Sequence, residues 1–296
     1  MNAAESAARI TPEARREIER LARALRWGPA GVGTVQGRGP AGRLGRAGEF
    51  EEYRPWRPGE ELRSIDVKVL RRLRRRVARV DREESALPLT VLVDRSASMA
   101  DPVRESCIVA LAHFLLALAR ARGEPRRLLF FVDGRAGSGL AGTVGGAEGE
   151  LARAFAATPC AGPSDFARAF SALPLDPRGP GRVVVLSDAA GLADERAIAP
   201  LSRLGRPFWI APLVPEELAP SPRGRVALIS REAEPGWTGT IDAAAAARYR
   251  GALAARFAWL ERELRARGGD ALAVPAAAGW SRAIGACLAR GRMLRR

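Results

Sequence analysis

Two periodicities divide the chain. Over residues 11–26, Ile18, Leu21, Ala22 and Leu25 recur at three- and four-residue spacing, with Thr11 placed to cap and Pro12 at the first helical position. That pattern predicts an amphipathic helix. Residues 28–48 are Gly-rich and basic and read as a linker. The text then stays polar and turn-rich from Gly48 to Ser85 until Val77–Glu83, whose partial alternation predicts a strand. After Pro88 the pattern changes, and short β-rich runs alternate with longer helical ones. Strands are predicted at Leu89–Val93, Arg127–Val132, Arg182–Leu186, Pro207–Ala211, Val226–Ile229 and Ala271–Val274. Between and after them, helices are predicted at Val103–Arg122, Glu148–Ala157, Asp165–Ala172, Asp194–Leu204, Ile241–Arg267 and Ser281–Arg292. Strands separated by helices imply right-handed crossovers, so the expected fold class is α/β: a doubly wound, mainly parallel sheet flanked by helices. The expected parts are an N-terminal helix over 1–27, a Gly/Arg-rich segment over 28–85 and the α/β domain over 86–296.

Composition narrows the class. The chain has 296 residues, 47% hydrophobic and 27% charged, which suits a globular protein with a sizeable core. Three widely spaced cysteines, Cys107, Cys160 and Cys287, offer neither a disulfide scaffold nor a CxxC zinc site and point to a reducing compartment. The apolar run Cys107–Ala119 is interrupted by His113 and is shorter than the roughly 18–20 residues of a membrane span. The first residues carry acids and no apolar core of a secretory signal, so the expected location is cytoplasmic.

The net charge is +15, nearly all of it arginine, with Lys68 the single lysine. Between Arg54 and Arg82 there are eleven bases against four acids, centred on Arg71, Arg72, Arg74, Arg75 and Arg76. Such a run can be a solvated face paired with Glu60, Glu61, Glu83 and Glu84, a docking site for an acidic partner, or a nucleic-acid backbone contact. No nucleic-acid motif accompanies it, and two tyrosines and nine phenylalanines are few for base stacking.

The strongest chemical signal is Asp94-Arg95-Ser96-Ala97-Ser98, a DxSxS directly after the buried run Leu89–Val93 and before a helix. Strand carboxyl ends near a switch in strand order are where open α/β sheets bind ligands. Gly162-Pro163-Ser164-Asp165, opening a helix, and Asp188, following the run Val183–Ser187, stand at equivalent places. One carboxylate and two hydroxyls on a tight turn, joined by Ser164 and Asp188, form an oxygen-only set suited to Mg²⁺ or Mn²⁺. The plain alternative is that these are ordinary helix caps. The lone histidine, His113, lies in an apolar helical run and excludes histidine-rich zinc sites. No GxSxG elbow and no GxxxxGK[ST] loop occur, and Gly137–Gly142 fits GxGxxG only as text. A phosphorylatable Asp94 would need a second acid two positions on as general acid, where Ser96 stands, so a ligand site is favoured over catalysis.

Asp94, Ser96, Ser98, Ser164 and Asp188 resemble the metal-ion-dependent adhesion site of the von Willebrand factor A (vWA) fold. The resemblance implies a vWA/Rossmann-like sheet and a Mg²⁺ or Mn²⁺ held by the hydroxyls and carboxylates, with one position left for a partner's acidic group; Ser164 stands where the family has threonine. Gly48-Glu49-Phe50, Arg54–Asp66 and Arg79–Glu84 resemble the signature of the domain of unknown function 58 family, which joins such a segment to a vWA domain. That pattern usually has Tyr, Asp-Asp and Trp where this chain has Trp56, Glu60-Glu61 and Val67. The resemblance implies a non-catalytic interaction protein working with a MoxR-type AAA+ ATPase, or a client offering a carboxylate, in the assembly or activation of other proteins. The alternatives are a metal-dependent phosphatase-like enzyme and a basic nucleic-acid-binding protein.

Overall fold

The computed structural model describes residues 10–28, 49–56, 66–73, 75, 77–82, 87–132, 135–136, 150–177, 179–192, 194–221, 224–228, 232 and 237–296. It divides into two units, Thr34–Ala86 and the remainder, so the N-terminal helix belongs with the α/β domain.

The larger unit is built on one sheet. Its strands are β1 (Leu89–Asp94), β2 (Arg126–Val132), β3 (Arg135–Ala136), β4 (Gly181–Leu186), β5 (Gly205–Leu213) and β6 (Asp270–Pro275), in spatial order β3-β2-β1-β4-β5-β6. Five are parallel, and β3 adds antiparallel to the edge of β2. This is the doubly wound, vWA/Rossmann-like α/β architecture expected from the alternating pattern. The order reverses between β1 and β4, so the loops that leave these two strands open a crevice at their carboxyl ends.

Strands buried on both faces read as unbroken apolar runs because helices cover each side. All six residues of β1 are buried, yet alternate positions serve different layers. Val91 and Val93 join Leu128, Phe130, Val184, Leu186 and Ile210 on one face. Leu92 joins Leu129, Phe131, Val183, Val185 and Trp209 on the other. The first face is covered by α1 (Pro12–Ala24), α2 (Pro102–Ala121), α3 (Glu150–Ala157) and α6 (Gly279–Arg290), the second by α4 (Phe166–Ser171) and the carboxyl half of α5 (Ala243–Ala266). A cluster of Phe131, Phe166, Phe170 and Trp209, with ring centroids 5.4–6.2 Å apart, fills the second layer. Where β4 and β5 start side by side, Gly205 has φ +134°, and a Cβ there would stand 2.0 Å from the Gly181 carbonyl oxygen, so only glycine fits.

Helix α2 is, by length and composition only, long and apolar enough to cross a membrane. The helix extends beyond the run Cys107–Ala119 on both sides, to Pro102 and Ala121. Within the fold 67% of its apolar window is buried, against α1, α6 and the sheet. His113 sits half-buried on it, with its pKa lowered by burial and then by Arg15.

Several local expectations are corrected. The helix expected over Asp194–Leu204 is two single turns, Glu195–Ile198 and Leu201–Leu204, separated at Pro200, whose ring cannot continue the first. The long helix begins at Ala243 because Asp242 caps it, accepting from the Ala245 N–H at 2.6 Å, and Ile241 ends a strand instead. That strand, Trp237–Ile241, pairs antiparallel with Gly224–Leu228 as a ribbon outside the main sheet. The first helix stops at Ala24, and Arg26–Trp27 pair with Leu294–Arg295. The three cysteines are free.

In the smaller unit, Glu49–Pro55 pairs antiparallel with Val77–Arg82 around a bulge at Phe50/Glu52, and Val67–Leu73 forms a helix that the polar text had not announced. Arg71, Arg72 and Arg75 are exposed; Arg74, Arg76 and the Gly137–Gly142 run lie outside the described residues.

Candidate metal centre

β1 ends at Asp94, and the chain turns through Arg95–Asp101 before α2. The turn is held by its own backbone and by the loop that carries Ser164. The Asp94 Oδ1 accepts the Ser96 N–H at 2.8 Å. The Ala97 N–H reaches the Gly162 carbonyl at 2.9 Å, and the Ala161 N–H returns to the Arg95 carbonyl at 2.9 Å. Arg95, the variable position of the motif, points away from the crevice. It donates to the Thr158 carbonyl at 2.6 Å and to Glu105 at 2.9 Å, and stacks over Phe155. This clamp explains how residues some 70 positions apart meet: the Ser164 hydroxyl lies 3.4 Å from Asp94 Oδ2.

The structure therefore brings Asp94, Ser96, Ser98 and Ser164 together, with the Ser96 and Ser98 hydroxyls 3.2 Å apart. Asp188, two residues past β4, stands close enough for its charge to act on Asp94. Its carboxylate is turned to other partners: Oδ2 accepts from Arg104 at 2.6 Å, and Oδ1 from the Ala190 N–H at 2.8 Å. Ala189, between them, has φ +60°, a left-handed conformation costly for a residue with a Cβ. It is held there by a bond from its N–H to the Ser187 hydroxyl at 3.1 Å and by Arg256, which donates to its carbonyl at 3.0 Å.

Three participants escaped the sequence reading. Ser187 donates to Asp94 Oδ2 at 2.7 Å and fixes the buried carboxylate; it directly precedes Asp188 at the end of the same strand, which was its available signal. Arg104, 1% exposed, joins Asp188 and Glu217 and donates to the Ser98 carbonyl at 2.8 Å. Burial works against its charge, but Asp188 and then Glu217 outweigh that and hold its pKa above the ordinary value. Glu232 is the third, with its carboxylate oxygens 3.2 Å from the Ser98 nitrogen and 3.3 Å from the Ser164 nitrogen. Ser98, Asp101, Arg104, Ala190, Val214, Glu217 and Glu232 line a cleft of about 370 Å³.

The electrostatics of the centre turn on Asp94. Asp94 is fully buried, and each of its hydrogen-bond donors, Ser96 N–H, Ser187 O–H and Ser164 O–H, is neutral. Burial, and then the Asp188 charge, push its pKa up to about 6 against the lowering effect of Ser187 and Ser96. Asp188 and Glu217 share the Arg104 guanidinium, and the Asp188 charge also acts on Asp94. A buried carboxylate held by neutral donors beside the hydroxyls of Ser96, Ser98 and Ser164 has the donor chemistry of a hard divalent cation, whose charge would favour the ionised Asp94. Among the described residues, no group of three or more His, Cys, Asp or Glu side chains is arranged to hold a metal ion.

No family model matches the chain, and no curated protein matches it. Solved structures do. An aerotolerance-related membrane protein from Bacteroides fragilis, with multiple mutations to serine, is 12% identical, with a TM-score of 0.40, over 67% of this chain and 97% of that one. A conserved hypothetical protein, BatB from Bacteroides thetaiotaomicron, is 11% identical, with a TM-score of 0.39, over 69% of this chain and 98% of that one.

Proposed function

We propose that this chain is a non-catalytic recognition protein of the domain of unknown function 58 kind, whose vWA-type domain binds a partner through a metal ion. The observation that supports this most is Asp94: a carboxylate buried at the switch in strand order, held only by neutral donors and flanked by the hydroxyls of Ser96, Ser98 and Ser164. In this reading Asp94, Ser96, Ser98, Ser164 and Asp188 hold a Mg²⁺ or Mn²⁺. The ion supplies a Lewis-acidic position for one acidic oxygen of the partner. Ser187 and the Ser96 N–H keep Asp94 oriented, and Arg104 keeps Asp188 and the Ser98 backbone in register across the crevice.

The partner proposed is a MoxR-type AAA+ ATPase or a client protein that offers a carboxylate. Capture of such an ATPase on the immobilised chain should require Mg²⁺, vanish with a chelator and vanish in Asp94→Ala. Equal capture under all three conditions would refute the metal-bridged reading. Release of phosphate from an aryl phosphate by the wild type and not by Asp94→Ala would replace it with the phosphatase reading.

A further inference from the structure

Helix α5 carries more basic surface than its packing uses. From Ala243 to Leu260 it has three arginines, Arg248, Arg250 and Arg256, and its first acid is Glu261. Of that stretch only Ala246 and Leu260 are buried. Arg248, Tyr249, Ala252 and Arg256 recur at three- and four-residue spacing and so share one face, and all four are exposed. Arg256 ties this face to the crevice, because its guanidinium donates to the carbonyl of Ala189, next to Asp188, at 3.0 Å. Tyr249 stands on the same side: its hydroxyl lies in the field of Glu217, Arg256, Asp188 and Arg104.

Two observations say what this face fits. Tyr249 is 43% exposed, one of three large apolar side chains left open among the described residues. A second, Val103, is 47% exposed and stands two positions after Asp101, which lines the cleft. Exposed aromatic side chains with a polar tip, beside arginine, are common anchors of protein contacts. The second observation is charge. Among the described residues neither Arg248 nor Arg250 makes a hydrogen bond or an ion pair, and Arg256 is held by a neutral carbonyl. An anionic partner complements such a helix. A run of phosphates suits it poorly, because Asp101 and Glu217 line the adjoining cleft and repel a polyanion laid along it. A protein segment can instead set single carboxylates on the arginines and an apolar side chain on the tyrosine ring.

We infer that the face of α5 bearing Arg248, Tyr249 and Ala252 is a docking surface for an acidic segment of a partner protein. A carboxylate of the segment pairs with Arg248, and an apolar side chain packs on the Tyr249 ring beside Ala252. The inference extends the proposed recognition role, but no metal ion takes part in this contact.

The test is fluorescence anisotropy in chelator with three labelled probes: an acetylated peptide of Glu-Ala-Leu-Glu repeated three times, the same peptide with Gln for Glu, and a single-stranded DNA of similar length. Wild type, Arg248→Glu, Tyr249→Ala and Asp94→Ala are compared with Arg282→Glu, a charge-matched control at an exposed position of α6, which covers the opposite face of the sheet. Arg248→Glu and Tyr249→Ala should each bind the Glu peptide about tenfold more weakly than wild type, with the Arg248→Glu loss smaller at high salt. The Gln peptide should bind wild type about tenfold more weakly than the Glu peptide. Arg282→Glu and Asp94→Ala should bind the Glu peptide as wild type does, and thermal midpoints check that each variant is folded. Wild-type affinity in Arg248→Glu and Tyr249→Ala, an equal loss in Arg282→Glu, or DNA that outcompetes the Glu peptide overturns the inference. Peptide binding that needs Mg²⁺ and Asp94 also overturns it, and leaves the metal-bridged reading standing. Peptide binding that depends on Arg248 and Tyr249 in a chain that takes up no metal ion upholds it, and sinks that reading.

Discussion

Replacing Asp94 with Asn should stabilise the metal-free protein at neutral pH, and the gain should depend on pH in a defined direction. The folded environment raises the Asp94 pKa from its ordinary 3.8 to about 6, chiefly through burial. A group whose pKa rises on folding contributes stability that is complete below its unfolded value and is lost as pH climbs through the folded value. The difference is about two pH units, and at about 1.36 kcal/mol per unit the ionised carboxylate costs roughly 3 kcal/mol at pH 7. Asn keeps the acceptor for the Ser96 N–H and turns its amide toward Ser187, whose hydroxyl can redirect its proton. Urea unfolding in chelator should therefore show the two proteins nearly equal at about pH 4 and Asp94→Asn ahead by roughly 3 kcal/mol at about pH 7. In thermal scans that corresponds to about 6–10 °C for a domain of this size. A variant less stable than wild type by the same amount at both pH values would refute the reasoning, since the buried charge would then carry no penalty.

Other substitutions probe the supports of the centre and the core. Arg104→Met should cost about 3–5 kcal/mol in urea unfolding, because it leaves the buried Asp188 without its cation. Ser187→Ala should lose about 1–3 kcal/mol at neutral pH by removing the hydroxyl donor to the ionised Asp94, with a smaller loss at acid pH, and parallel pH titrations would separate the two. Trp209→Ala should destabilise by about 3–5 kcal/mol, since the ring packs among Phe166 and Phe170 and its N–H donates to the Ser187 carbonyl. Replacing the exposed Arg71, Arg72 and Arg75 with Ala should weaken partner capture more at low than at high salt if they steer an acidic partner; a loss independent of salt would point to altered structure.

The parallel sheet was legible because burial on both faces writes itself into the sequence as runs such as Leu89–Val93 and Val183–Leu186. The DxSxS turn was legible because it stands directly after a buried strand, at the edge where open α/β sheets place their ligand loops. Short elements left weaker traces. The antiparallel edge at Arg135–Ala136 has two residues, too few to show a period, and the break at Pro200 was hidden inside an otherwise continuous helical pattern. Arg104 is one of 48 basic residues and carries no mark of burial, since what places it inside is the meeting of Asp188 and Glu217 from distant segments. Glu232 is more hidden still, because its contacts are with backbone nitrogens, which every residue type shares.

The central claim is that Asp94 and its neighbouring hydroxyls hold one divalent cation. The most direct test is isothermal titration of Mn²⁺ and Mg²⁺ into chelator-treated wild type and Asp94→Ala at neutral pH. The account predicts one ion bound per wild-type chain, affinity falling as the solution is acidified through the Asp94 pKa of about 6, and no binding in Asp94→Ala. Equal binding by both proteins, or none by either, would contradict it.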